Sequence, residues 1–164
     1  MSKKRRRIDY WQDQEAPRPT SRRPSASAFV RDESGNVLLL RRADNGLWTI
    51  PTGGLKSGET ATQCAIRECK EETGIDIEIA GLVGVFTSPD HIIEYRKGKH
   101  ITEVRQPVNI CLRARPIGGE LRPRPAEASD ARWVSTDELS EYEIHPALWR
   151  RIAHGLSDTR PYVD

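Results

Sequence analysis

Apolar positions along this chain come in short runs separated by turn-forming residues. SASAFV and VLLL flank Glu33-Ser34-Gly35, which predicts a hairpin of two strands. Leu47-Trp48-Thr49-Ile50 is a short extended piece that Pro51 stops, and Thr52 to Gly58 is a glycine-rich loop. From Glu59 to Thr73 the apolar period lengthens to that of a helix. Thr60 or Ser57 is available for its N-terminal cap and Gly74 closes its C-terminus. Ile75 to Thr87 returns to strand character, broken at Gly81 and Gly84. His91 to Tyr95 and Thr102 to Ala114 read as a hairpin around Arg96-Lys97-Gly98-Lys99, and Gly118-Gly119 turns the chain again. A proline-rich loop from Glu120 to Ala128 leads to a strand at Arg132 to Ser135. Asp137 to Leu139 starts a short helix, and Pro146 opens a last helix ending at Gly155. Strands dominate, with helices between and after them, so the expected class is α/β: a mixed sheet covered by helices on its faces.

Length and charge refine this picture. The 164 residues are enough for one domain with its own core, and no apolar run approaches the roughly 20 residues of a membrane span. The net charge of +2 is too small to imply a nucleic-acid partner, but the basic excess is local. Lys3, Lys4, Arg5, Arg6 and Arg7 form a run, followed by APRPTSRRPS. Residues 1–23 therefore read as a basic, proline-rich arm, disordered or ordered on contact through Tyr10 and Trp11; its basic run reads as a solvated, mobile tail, with adhesion to nucleic acid or an anionic surface as the alternative. No apolar stretch follows the run, so it is not a secretory signal, and a cytoplasmic location is expected. Cys64, Cys69 and Cys111 are odd in number and lack framework spacing, as for free packing thiols in a reducing compartment. Residues 24–157 form the domain and 158–164 a short tail.

The helix carries the chemistry. On a helical wheel Glu68, Glu71 and Glu72 share one arc beside the apolar stripe of Ala65, Ile66 and Cys69. Like charges at these spacings repel, more strongly at the edge of a core, and a divalent cation reverses the sign of that sum. All-oxygen ligands favour Mg²⁺ or Mn²⁺. A solvated Glu/Lys face with Arg67 and Lys70 as local partners is the alternative. The flanks favour the cation: Gly53 lets a backbone carbonyl approach, and Arg67 can fork toward Glu59 or Glu72.

Gly53, five residues, Glu59, seven residues, then Arg67-Glu68-Cys69-Lys70-Glu71-Glu72-Thr73-Gly74-Ile75 resembles the Nudix box, G-x5-E-x7-R-E-U-x-E-E-x-G-U. Cys69 stands at the aliphatic position. LWTIPTGGLKSGE is similar to the family's W-x-x-P-G-G stretch, with Thr52 where the first glycine usually falls. From about Ile8 to Leu156 the chain resembles small bacterial Nudix hydrolases with a TSPDH segment and a HPxxxxRI helix.

The resemblance implies a Nudix-type α/β/α sandwich with a mixed β-sheet and hydrolysis of a nucleoside diphosphate linked to another group. By position, Glu68, Glu71 and Glu72 would be metal ligands with the Gly53 carbonyl, and Arg67 and Glu59 a structural ion pair. The partner would be a small-molecule diphosphate, and many relatives pair as homodimers. For the base, Glu127 is the candidate outside the box, then Glu103, with Asp130 nearby. Arg41 and Arg42 are candidates for phosphate contacts and Trp48 for base stacking. Arg96, Lys97 and Lys99 form either a basic lid or a solvated hairpin. Two other readings stay open: a non-cleaving nucleotide sensor or nucleic-acid-associated module, and a hydrolase of a non-nucleotide diphosphate.

Overall fold

The computed structural model describes residues 5–157 and 160–164. Lys3 and Lys4 of the basic run, and the first two residues of the tail, lie outside the described residues. In chain order the elements are β1 (Arg5–Trp11), β2 (Pro24–Val30), β3 (Val37–Arg42), β4 (Trp48–Thr49), β5 (Thr52–Gly54), α1 (Ala61–Thr73), β6 (Ile75–Phe86), β7 (His91–Lys97), β8 (His100–Arg105), β9 (Val108–Gly119), β10 (Ala128–Val134), a 3-10 turn (Leu139–Glu141), α2 (Pro146–Leu156) and β11 (Tyr162–Val163).

A mixed sheet in the order β11-β6-β9-β2-β5 lies at the centre, with β2 parallel to β9 and β6 antiparallel to it. The period of two along β2 explains the layering. Ala26, Ala28 and Val30 face Cys64, Ala65 and Cys69 of α1, while Phe29 faces Ile152 of α2. Small residues on the α1 side let that helix lie close to the sheet. On the other side a Cβ at Gly155 would sit 2.5 Å from the Phe29 ring, so α2 is seated on that ring. This is the expected α/β/α arrangement, with β10-β3-β4 and β1-β7-β8 as two further sheets.

Five local expectations change. The strands flanking Glu33-Ser34-Gly35 meet only at one bridge, Arg31 with Val37, and then part into different sheets. Val37 to Leu40 are all fully buried, so β3 is covered on both faces instead of lying against β2 as a simple hairpin. β6 is continuous through Gly81 and Gly84, where the ladder shifts register; those glycines sit at bulges, not breaks. The predicted Thr102–Ala114 strand is two strands, parted by Gln106-Pro107. Residues 5–11, read as part of an arm, form β1, paired antiparallel with β7 from Arg5–Lys97 to Trp11–His91. Alternation puts Arg5, Arg7 and Asp9 on one face of β1, and there Arg7 and Asp9 are buried as an ion pair at 2.6 Å. At the other end, Tyr162–Val163 of the tail pairs with β6.

Candidate active site

α1 opens with a reciprocal capping box between Thr60 and Gln63 and closes at Gly74, whose φ of 83° is left-handed. These caps fix where the helix starts and stops, and so which face its glutamates present. Arg67 is the hub. Its Nε and Nη2 donate to the two oxygens of Glu59 at 2.7 and 2.8 Å, and its Nη1 donates to Glu68 at 2.6 Å and Glu71 at 3.3 Å. A further bond from Nη2 to the Gly54 carbonyl, at 3.2 Å, ties the helix to the glycine loop. These bonds to Arg67 hold the Glu59 carboxyl down at about 2 and raise the guanidinium's own value.

Glu72 differs from its neighbours. It is buried, and its Oε1 accepts the backbone N–H of Thr52 at 3.0 Å. Burial pushes its carboxyl up to about 8 against that bond, and the charges of Glu68 and Glu127 push the same way. Burial likewise raises Glu68. The Gly53 backbone lies directly against Glu68: a Cβ there would fall 2.0 Å from the Glu68 carboxyl carbon. The Gly53 carbonyl accepts from the Cys64 thiol at 3.4 Å.

Among the described residues, no three acidic, histidine or cysteine side chains stand as a ready ligand set for a metal ion. The geometry says why. Arg67 draws Glu68 and Glu71 to itself, and Glu72 is turned to the loop. The donor chemistry nevertheless fits a hard dication. The donors are all oxygen, one carboxylate is buried without a cation of its own, and a glycine cradle leaves no room for a side chain beside Glu68.

Of the three helix glutamates, Glu72 opens onto a cleft. A cavity of ≈ 340 Å³ is lined by Glu72, Thr52, Arg42, Asp44, Arg5 and Glu127, so Glu127 and Arg42 do join the helix glutamates. Arg124 bridges Glu127 at 3.2 Å and Glu71 at 4.0 Å, and Arg42 forks onto Asp44 at 2.8 and 2.6 Å. A second cavity of ≈ 190 Å³ shares Arg5, Arg42, Asp44 and Thr52 with the first and extends to Arg7, Arg105 and Arg151.

Other candidates lie elsewhere. Arg41 points away from both cavities, its Nε on the Gly46 carbonyl at 2.9 Å, because strand alternation sends it opposite to Arg42. Trp48 packs edge-on to Tyr142 at 4.9 Å, with the Arg132 guanidinium over it, and lines neither cavity. Glu103 is committed to Arg105, Ser21 and Arg5; despite burial, its bonds to Arg105 and Ser21 hold its carboxyl at about 2, too acidic for a base at neutral pH. Asp130 pairs with Arg132 at 2.8 Å, and Arg96 pairs with Glu94.

Sequence reasoning missed the arginine end of the cleft. The alternation of Arg5 and Arg7 in the basic run was the available signal. Arg105 and Arg151 gave none, because only long-range packing brings them in.

A family model described as NUDIX domain matches residues 21–154. A MutT-like protein of Streptomyces ambofaciens is 37% identical over 93% of this chain and 88% of its own length. An ADP-ribose pyrophosphatase of Methanocaldococcus jannaschii is 37% identical over 67% of this chain and 60% of its own length. Among solved structures, a NUDIX hydrolase from Nitrosomonas europaea superposes with a TM-score of 0.70, covering 91% of this chain and 79% of that one at 22% identity.

Proposed function

This chain belongs to the NUDIX family of pyrophosphohydrolases, and from that premise we propose that it cleaves the diphosphate linkage of a nucleoside diphosphate derivative with Mg²⁺ or Mn²⁺. The observation that carries this reading is the buried Glu72 carboxylate, set beside Glu68 and Glu71 at the mouth of a cleft whose walls carry arginines. Glu68, Glu71, Glu72 and the Gly53 carbonyl would hold the cation. Bound there, such an ion neutralises diphosphate oxygens and lowers the pKa of a water molecule.

The chain's own residues do the rest. Arg67 orients Glu68 and Glu71 through its fork and keeps Glu59 and the glycine loop in place. Arg42 stands in the cleft wall with a guanidinium suited to a phosphate oxygen. Glu127 lines the same cavity as Glu72 and would take the proton from the attacking water at its carboxylate. Three buried free cysteines suit a reducing cytoplasm, and no helix among the described residues is long and apolar enough to cross a membrane.

The test is a panel of nucleoside triphosphates, dinucleotides, diphosphate sugars and non-nucleotide diphosphates, with Mg²⁺ or Mn²⁺ and identified products. We expect hydrolysis of at least one nucleotide, abolished by chelator and by Glu71→Gln. Binding of a nucleotide with no cleavage of any panel member would make the chain a sensor and end this reading.

A further inference from the structure

Arg151 projects from the core-facing side of α2 and is 3% exposed. Among the described residues its Nε meets no hydrogen-bond acceptor. A buried guanidinium without a carboxylate is costly, and native proteins keep such groups where something else supplies the counter-charge. Burial lowers its pKa to about 10, so it stays charged at neutral pH.

The smaller cavity opens onto this side chain. Arg5, Arg7, Arg42 and Arg105 share its wall, and the acids near them are already taken. Asp9 is forked by Arg7, Asp44 by Arg42, and Glu103 by Arg105 with Arg5. Among the described residues, five arginines thus face three carboxylates, and Arg151 is the one left over. At ≈ 190 Å³ the cavity is smaller than the roughly 300 Å³ at which sites for whole small molecules begin, so it suits one anionic group and not a nucleoside. It is continuous with the cavity of Glu72 and Glu127 through Arg5, Arg42, Asp44 and Thr52.

We propose that this arginine end, centred on Arg151, receives the terminal phosphoryl group of a substrate whose phosphate chain continues beyond the bond hydrolysed, as in a nucleoside triphosphate. The inference rests on the diphosphate-hydrolase reading for the chemistry at the other end, but the anion site itself does not need it. The site also gives β1 a purpose: its alternation delivers Arg5 and Arg7 to the same pocket.

The probe is inorganic phosphate, read by thermal melting in chelator, against chloride at equal ionic strength. Phosphate is expected to raise the wild-type melting temperature, because it binds the folded state alone. Arg151→Met should lose that rise, and Arg115→Met, an exposed arginine paired with Glu78, should keep it. Kinetically, Arg151→Met should lower kcat/KM on nucleoside triphosphates by about 10- to 100-fold, mostly through KM, with little change on a diphosphate capped by a neutral sugar. If Arg151→Met does not fold, Arg5→Met, whose side chain is 56% exposed, carries the test through a weakened phosphate response. No wild-type response to phosphate, an undiminished response in the folded variant, or equal kinetic losses on both substrate types would overturn the assignment. If no diphosphate is cleaved at all, the hydrolase reading fails while the melting experiment still decides the anion site.

Discussion

The backbone N–H of Thr52 donates to Oε1 of Glu72 at 3.0 Å, joining the start of β5 to the most buried acid of α1. The Thr52 hydroxyl turns the other way, onto the Ile50 carbonyl at 3.0 Å. A side chain is therefore accommodated where glycine is usual in related sequences. What the loop needs at this position is the peptide N–H. The next residue is different, because Glu68 occupies the space a Cβ at Gly53 would take.

Glu72→Gln should separate stability from activity. The amide keeps an oxygen for the Thr52 N–H and is neutral, as the buried carboxyl, held at about 8, mostly is at neutral pH without a cation. The metal-free protein should melt at least as high as wild type, while turnover with Mg²⁺ falls by about 100-fold or more. A lower melting temperature in chelator would show that the ionised carboxylate stabilises the fold.

Gly53→Ala tests the cradle. The added methyl would have to displace the Glu68 carboxylate, from a starting separation of 2.0 Å. The obstacle is a movable side-chain end, so the fold should survive. A misplacement of about 1 Å in a catalytic group can cost roughly 100-fold, and kcat should drop on that scale, checked by steady-state assay with circular dichroism as the folding control.

Asp9→Ala tests whether β1 belongs to the domain. Asp9 is buried between the Arg7 guanidinium, at 2.6 Å, and the His91 ring, at 2.9 Å. Removing it leaves Arg7 buried without its partner, a change that typically costs about 3–5 kcal/mol, visible in urea unfolding. Unchanged stability would mean that β1 lies only loosely on the domain.

The same cluster sets an acid limit. Burial lowers His91 to about 4 from an ordinary 6.5, with the Arg151 and Arg7 charges pushing the same way and Asp9 opposing. Burial also lowers His145, whose ring lies 6.3 Å from that of His91. Between those values the unfolded chain binds a proton that the folded chain does not, so the His91 contribution to stability falls as pH drops from about 6.5 to about 4. Glu72, raised to about 8, contributes the opposite slope above its ordinary value, so the His91 effect is read as a difference: between about pH 6.5 and 4 the melting temperature of wild type should drop by roughly 5 °C relative to that of His91→Gln, which can still donate to Asp9.

How far the chain could be read in advance depended on the range of each signal. The helix from the Thr60 cap to Gly74, the sharing of one arc by Glu68, Glu71 and Glu72, and the approach of Gly53 all follow from spacings within one strand–loop–helix unit. There, neighbours in space are neighbours in sequence. The continuous apolar run at Val37 to Leu40 signalled burial but not which sheet it would join. Register and sheet membership depend on partners far along the chain. The basic run showed its charge and not its fate: pairing with β7, more than eighty residues away, turned it from an arm into a wall of the cleft.

Sequence alone determined the acidic helix, its close at Gly74 and the glycines before it, because side-chain periods and hydrogen bonds of a few residues specify them; the choice of Thr60 over Ser57 as cap, and the pairing of Thr52–Gly54 with β2, came with the fold. Tertiary structure alone decided that Arg67 would claim Glu68 and Glu71, that Glu72 would be buried, that Arg41 would face away while Arg42 faces in, and that Arg151 would reach the cleft with its Nε unmatched among the described residues. Those outcomes turn on burial and on charges contributed by distant segments, and neither exists until the layers have packed.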